Sequence, residues 1–95
     1  MHRDLKPSNL LICCDDDKLK LQLADFGQAR VFLQDKTDKQ RLMFSIEVGT
    51  KWYKAPEILF GVKSYNEKVD LWSTGCLLAE LMDHCPIFTG TTDLD

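Results

Sequence analysis

The sequence has no excess of positive charge. Twelve lysines and arginines stand against fifteen aspartates and glutamates, so the formal net charge of the 95 residues is −3. The basic residues are scattered among acidic ones and form no stripe that could follow a phosphate backbone. This balance argues against a nucleic-acid-binding protein.

Long hydrophobic runs are also missing. Met1 is followed directly by His2 and Arg3, and no apolar stretch has the length of a signal peptide or of a membrane span. We therefore expect no membrane association. We also expect an intracellular location, in the nucleus, in the cytoplasm or in both.

The four cysteines lack the spacing of a zinc site and that of a small disulfide framework. They are Cys13, Cys14, Cys76 and Cys85. We expect reduced thiols, most of them buried. Hydrophobic residues make up 44% of the chain and charged residues 28%, which is typical of a folded protein. The length allows one small core at most.

The segment from His2 to Asn9 carries the strongest chemical signal. It places an acid, Asp4, two residues before Lys6 and five residues before Asn9. Such a set suits the attack of a hydroxyl on a metal-bound phosphate. The acid takes or orients the hydroxyl proton, the lysine neutralises transferred charge, and the amide oxygen holds a metal. The segment therefore indicates phosphoryl transfer.

A two-stranded hairpin is predicted directly after this loop, with its turn near residues 15–18. In the second strand, polar residues alternate with Leu19, Leu21 and Leu23. The alternation predicts that these leucines share one face, which packs inward. Antiparallel pairing brings the two flanking residues, Asn9 and Asp25, to the same end of the hairpin. We expect a metal site at that end.

Two helices are predicted in the second half of the chain. A short helix begins at Pro56 and Glu57 and ends before Gly61. Asn66 followed by Glu67 predicts the start of a long helix over about residues 67–83. This helix has apolar residues around nearly its whole circumference, which predicts burial on most sides. Asp70 is the exception, because a carboxylate in such a helix is costly unless it is hydrogen-bonded.

Four motifs in this order resemble those of eukaryotic protein kinases. They are the catalytic loop His2 to Asn9, Asp25-Phe26-Gly27, Ala55-Pro56-Glu57, and Asp70-x-Trp72-Ser73-x-Gly75. The resemblance implies an α+β fold that is part of the kinase C-terminal lobe, with catalytic loop, small β-hairpin, activation segment and long buried helix. Residues 1–95 would form a partial kinase domain, from the catalytic loop to the start of the helix after the central helix. The N-lobe and the end of the C-lobe would be absent.

The same resemblance implies roles for individual residues. Asp4 is the catalytic base, Lys6 contacts the transferred phosphate, and the hydroxyl of Thr50 lies near both. Asn9 and Asp25 hold magnesium on ATP. Lys6 also favours serine or threonine substrates. The implied function is ATP-dependent phosphorylation of protein serine or threonine by the parent kinase.

Other motif residues have structural roles by this resemblance. For His2, packing and hydrogen bonding near Phe26 are favoured over the alternative of a proton shuttle, and Gly27 is free to take unusual backbone angles. Asp70 holds the backbone of the loop around His2 and Arg3. Glu57 lacks the arginine partner that the family places beyond residue 95, and an unpaired carboxylate in a packed lobe is destabilising.

The sequence is further identified as a member of the cyclin-dependent kinase group. Residues 52–53 and 59–61 flank the Ala-Pro-Glu motif as in that group, and other segments resemble its cell-cycle-related and activating-kinase branches. Membership implies a protein substrate, a cyclin or other activating subunit, and cell-cycle control. Ser45 aligns with the activating phosphorylation position, where an upstream kinase would act. Arg3 and Arg30 would grip that phosphate; the equal alternative is that Arg3 is simply exposed.

Several ATP-binding parts of a kinase are not found in the 95 residues, among them the glycine-rich loop and the strand lysine. We expect this segment alone to be inactive, since phosphoryl transfer depends on positioning. Two interpretations follow. The chain is part of an active serine/threonine kinase, or it is a catalytically inactive module that binds partners. The first is favoured because Asp4, Lys6, Asn9 and Asp25 are all present.

Overall fold

The computed structural model describes residues 1–31, 51–62 and 64–92. Its elements, in chain order, are a 3-10 helix at Pro7–Asn9, strand β1 at Leu10–Asp15, strand β2 at Lys18–Leu23, helix α1 at Pro56–Leu59 and helix α2 at Lys68–Asp83. One small antiparallel sheet is followed by helices. This is the α+β class that the sequence predicts.

Strands β1 and β2 form an antiparallel hairpin. Its register pairs Leu10 with Leu23 at the open end. Asp16 and Asp17 make the turn, and both have left-handed backbone angles, with φ of 46° and 60°. A two-residue turn of this kind matches the right-handed twist of the strands, and aspartate tolerates the left-handed region better than most residues do. The predicted hairpin and the place of its turn are confirmed.

The prediction that the leucines of β2 pack inward is wrong. Leu19, Leu21 and Leu23 are 79%, 65% and 48% exposed. The other residues of β2 are exposed as well. Alternation decides only which side chains share a face of a strand. Whether that face is covered depends on a neighbouring layer, and the described residues place none over β2.

The core lies between the catalytic loop, the segment before α1 and helix α2. Its buried members are Leu5, Tyr53, Cys76 and Leu77, with Leu10 and Trp52 packed against them. Full burial of a large apolar side chain stabilises a fold by about 1.5–3 kcal/mol. Because Leu5 belongs to this cluster, the core also fixes the position of the segment that carries Asp4.

Hydrogen bonds from flanking residues close both ends of helix α2. At its start, Asn66 Oδ1 accepts a hydrogen bond from the backbone N–H of Lys68 at 3.1 Å, which satisfies one of the free amides of the first turn. At its end, His84 takes a φ of 59°, and its N–H donates to the Glu80 carbonyl at 2.7 Å. A left-handed residue of this kind closes many helices. The predicted range of 67–83 agrees with the observed helix within one residue.

The prediction that α2 is buried on most sides is wrong. Its buried residues follow helical spacing and therefore lie on one face; they are Val69, Ser73, Cys76 and Leu77. Other apolar side chains of the helix are between 59% and 73% exposed, namely Leu71, Leu78, Leu81 and Met82. The described residues pack against this one face and leave the other apolar side chains of the helix uncovered.

The cysteines are only partly as predicted. All four are free thiols, but Cys76 alone is buried, Cys13 is half-buried, and Cys14 and Cys85 are exposed. Burial raises the pKa of the Cys76 thiol, because a low-dielectric environment disfavours the thiolate. Among the described residues, no helix is both long enough and apolar enough to cross a membrane.

Candidate active site

Two side chains converge on one carboxylate oxygen of Asp4. The Lys6 ammonium lies 3.5 Å from Asp4 Oδ2. The Asn9 amide Nδ2 donates to the same oxygen at 3.3 Å and to the Asp4 carbonyl at 2.9 Å. The 3-10 helix at Pro7–Asn9 makes this possible, because its tight turn returns position 9 toward position 4. The acid, the lysine and the amide of the predicted catalytic loop are therefore brought together.

The hairpin brings a second carboxylate to the same end of the sheet. The N–H of Ala24 donates to the Asn9 carbonyl at 2.9 Å, and Asp25 follows directly with a φ of 61°. The N–H of Gly27 donates to Asp25 Oδ1 at 3.2 Å. A Cβ at position 27 would lie 3.1 Å from that oxygen, so glycine leaves room for the Asp25 carboxylate.

The donor atoms at this end suit magnesium. Asn9 uses its amide nitrogen for both hydrogen bonds to Asp4, so neither bond occupies the amide oxygen. An amide oxygen and the Asp25 carboxylate are hard oxygen ligands of the kind that Mg²⁺ prefers. In the described ranges, no group of three or more histidine, cysteine or acidic residues could hold a metal. Two protein ligands fit a magnesium ion that keeps waters and phosphate oxygens.

Asp70 connects helix α2 to the catalytic loop. Its Oδ2 accepts the backbone N–H of His2 at 2.6 Å, and its Oδ1 accepts the backbone N–H of Arg3 at 2.8 Å. Hydrogen bonds to a charged acceptor are among the strong ones in proteins. They explain how an apolar helix tolerates a carboxylate near its start. The geometry is the one that the kinase resemblance implies for Asp70.

The His2 ring lies between the Asp4 and Asp25 segments. It is 6% exposed, and its centroid lies 5.0 Å from that of Phe26 in an edge-on contact. Nε2 lies 3.0 Å from the Ala24 carbonyl, and Nδ1 accepts the backbone N–H of Asp4 at 3.2 Å. These partners assign the proton to Nε2. Both ring nitrogens are engaged in holding backbone, which agrees with a packing role for His2.

Arg3 is buried, at 8% exposure, so the alternative of a simple surface residue is wrong. Its Nε donates to the Gln28 carbonyl at 2.5 Å and its Nη1 to the Tyr65 hydroxyl at 3.0 Å. Arg30 is exposed, and its backbone exchanges two hydrogen bonds with that of Met1, at 3.0 and 2.9 Å. Those bonds join the start of the catalytic loop to the segment that follows Gly27.

The three residues before Ala55 are each anchored to a different part of the fold. Trp52 Nε1 donates to the Gly90 carbonyl at 3.0 Å. Lys54 Nζ lies 3.5 Å from the Arg3 carbonyl. Between them, the Tyr53 hydroxyl donates to Glu80 Oε2 at 2.6 Å. Burial, this hydrogen bond and the negative charge of Glu80 raise the pKa of Tyr53 to about 12.

Thr50 and Ser45 lie outside the described residues, and their roles stay predictions. Glu57 is half-buried, so water reaches it. Among the described residues its carboxylate has no ion-pair partner. Its backbone carbonyl accepts the N–H of Val62 at 2.9 Å, across a turn in which Gly61 takes a φ of 70°.

Several residues that contact the site were not predicted from the motifs. Gln28 contributes a backbone carbonyl to Arg3, and Tyr65 and Glu80 contribute side chains to Arg3 and Tyr53. No sequence signal marks Gln28, because any residue offers a carbonyl. A tyrosine or a glutamate on a partly apolar stretch gives a weak signal of buried hydrogen bonding.

Comparison with protein families matches residues 1–95, the whole of the chain, to the protein kinase domain. The chain therefore belongs to the protein kinase family, whose catalytic loop accounts for the carboxylate, lysine and amide found together here.

Individual relatives indicate the group within the protein kinase family to which the chain is most similar. Human cyclin-dependent kinase 20 is 45% identical over the whole chain, which covers 25% of that protein. Cyclin-dependent kinase D-1 of Oryza sativa subsp. indica is 45% identical with 20% covered. Serine/threonine-protein kinase ppk23 of Schizosaccharomyces pombe is 45% identical with 22% covered. The chain thus spans a quarter or less of these relatives. By family it is a serine/threonine kinase sequence of the cyclin-dependent group, and that prediction is confirmed.

Proposed function

We propose that the kinase carrying residues 1–95 transfers the γ-phosphoryl group of ATP to serine or threonine hydroxyls of protein substrates. The observation that carries this proposal is the convergence of Lys6 and Asn9 on Asp4 Oδ2, at 3.5 and 3.3 Å. An acid held by an ammonium and an amide suits the orientation of a hydroxyl for attack on phosphate. Relatives named as serine/threonine or cyclin-dependent kinases support the substrate class.

The residues of this chain divide the work between them. The Asp4 carboxylate orients the substrate hydroxyl and takes its proton as the new O–P bond forms. The Lys6 ammonium offsets the negative charge of the transferred phosphoryl group. The hydroxyl of Thr50 would lie beside these two groups. The Asn9 amide oxygen and the Asp25 carboxylate would hold magnesium, which when bound neutralises charge on the phosphates of ATP.

Regulation belongs to the same proposal. Relatives named as cyclin-dependent kinases support a cyclin or other activating subunit and a role in the cell cycle. An upstream kinase would phosphorylate Ser45, and Arg3 and Arg30 would pair with that phosphate by charge-assisted hydrogen bonds. The described residues would form part of the C-terminal lobe of the parent kinase.

Residues 1–95 on their own would be inactive, since catalysis of phosphoryl transfer is mainly positioning of ATP and substrate. A second candidate function is that of a catalytically inactive module that binds partners. The apolar faces of β2 and α2 favour it, because side chains such as Leu19, Leu81 and Met82 are more than 70% exposed. Exposed apolar patches often mark interaction surfaces.

The test uses the full-length kinase and the substitution Asp4→Asn. This change keeps the shape of the side chain and removes the base. We expect kcat for peptide phosphorylation to fall about 10²- to 10⁴-fold, with an unchanged Tm. Asp17→Asn makes the same chemical change in the exposed hairpin turn and is the matched control, for which we expect wild-type turnover. If Asp4→Asn keeps more than about a tenth of wild-type kcat, Asp4 is not the base. A wild-type protein without turnover would favour the binding module.

A further inference from the structure

The residue before the catalytic base has a strained backbone. Arg3 takes a φ of 72°, in the left-handed region that residues other than glycine, asparagine and aspartate rarely occupy. A strained residue persists only where its surroundings fix it firmly. Because Asp4 follows directly in the chain, its direction depends on this backbone angle. The contacts that hold Arg3 therefore bear on catalysis.

Arg3 is held at its amide, its carbonyl and its side chain. Asp70 accepts the N–H, and Lys54 Nζ lies 3.5 Å from the carbonyl. The guanidinium donates to the Gln28 carbonyl through Nε and to the Tyr65 hydroxyl through Nη1. The Gln28 acceptor is a backbone carbonyl, which any residue at position 28 would supply. The acceptor at position 65 requires the tyrosine oxygen.

We propose that Tyr65 is a positioning residue for the catalytic base: its hydroxyl holds the Arg3 guanidinium, and through Arg3 it maintains the backbone direction of Asp4. Tyr65 belongs to none of the four kinase motifs in the sequence and lies 62 positions from Arg3. It sits just before helix α2, whose Asp70 holds the Arg3 amide. The same region of the fold thus fixes both the main chain and the side chain of Arg3. This inference rests on the proposed role of Asp4.

The experiment is a double-mutant cycle in the full-length kinase. Tyr65→Phe removes one oxygen and keeps the ring. We expect kcat to fall about tenfold, because the bond lost is one to a charged donor, while the KM for ATP stays unchanged. In the Arg3→Met background, Tyr65→Phe has no guanidinium to release. We expect less than about a twofold further change in kcat there, since coupled residues are not additive.

Tyr53→Phe is the matched control. It also removes a buried hydroxyl that is hydrogen-bonded within this lobe, but its partner is Glu80. A merely structural effect would lower Tm and reduce kcat by the same factor in both Arg3 backgrounds. We expect that additive behaviour from Tyr53→Phe and the non-additive behaviour from Tyr65→Phe alone.

The measured kcat values decide whether Tyr65 positions the catalytic base. An unchanged kcat in Tyr65→Phe, or an equal loss in both backgrounds, overturns the inference. If Arg3→Met is too slow to measure, amide hydrogen exchange replaces the cycle. Faster exchange at residues 3–4 in Tyr65→Phe, with unchanged exchange in β1, supports the inference, and unchanged exchange at residues 3–4 overturns it. Failure of the proposed function would show differently, as a wild-type kinase that does not phosphorylate any peptide.

Discussion

Asp70→Asn is the substitution that most directly tests how the catalytic loop is held. The two oxygens of Asp70 accept the backbone N–H groups of His2 at 2.6 Å and Arg3 at 2.8 Å. Asparagine has nearly the same shape but offers one oxygen and one NH₂ group. One of the two loop amides therefore loses its acceptor and faces another donor. The remaining bond is no longer charge-assisted.

The expected loss in free energy of unfolding follows from these two hydrogen bonds. A hydrogen bond to a charged group contributes about 1.5–3 kcal/mol, and a buried donor left without a partner costs about 1–3 kcal/mol. His2 and Arg3 are both buried, so water does not readily replace the lost acceptor. We expect the free energy of unfolding to fall by about 3 kcal/mol. In a domain of kinase size this corresponds to a decrease in Tm of about 6–12 °C.

The assay is thermal unfolding of the full-length kinase, followed by kcat measured well below the Tm. We expect kcat to fall as well, because Arg3 can leave its strained φ of 72° and turn Asp4 away. Asp83→Asn is the control. It makes the same change at the last residue of α2, where a negative charge is unfavourable to the helix dipole, so Tm should hold or rise slightly. The reasoning is refuted if Asp70→Asn lowers Tm no more than Asp83→Asn does.

Two further predictions concern other parts of the fold. Because the folded-state pKa of Tyr53 is raised to about 12, above the ordinary value of about 10, the unfolded chain loses this proton first. The stabilisation that the Tyr53 hydroxyl provides is complete below pH 10 and is lost as the pH rises toward 12. In denaturant titrations at several pH values, Tyr53→Phe should lack this loss of stability. Equal pH dependence of the two proteins would contradict the raised pKa of Tyr53. In the hairpin, Asp16→Asn with Asp17→Gly matches both left-handed turn positions. Amide exchange in β1 and β2 should become slower, corresponding to an increase of about 0.5–1 kcal/mol in the free energy of opening, and exchange in α2 should not change. Faster exchange in the strands would argue against the turn geometry.

Local signals predicted the elements of the fold well. The polar turn between two apolar runs predicts the hairpin, and Asn66 with Glu67 predicts the start of α2, because turn chemistry and helix caps act over a few residues. The grouping of Asp4, Lys6 and Asn9 was also predictable, because these residues lie close together in the sequence. The motif resemblance extended this to Asp70, although it lies 67 positions from Arg3.

Burial and long-range side-chain contacts were not predictable in the same way. The alternation in β2 and the apolar circumference of α2 describe which residues could be buried. Whether these residues are in fact buried depends on neighbouring layers of structure, which a periodic pattern does not specify. Leu19 and Leu81 are exposed although their patterns allow burial. Tyr65 was missed for a related reason, because its partner Arg3 depends on the path of the chain between them. A hydroxyl that meets a guanidinium over such a separation has no local signature.

The bonds between Asp70 and the catalytic loop also limit when the loop can fold during synthesis of the chain. They join residues 68 and 67 positions apart. At about 5–20 residues per second, the ribosome makes Asp70 about 3–14 s after His2. During that interval the nascent chain already contains Asp4 but lacks the carboxylate that orients its loop. The loop around Asp4 can therefore take the geometry described here only after Asp70 has been synthesised.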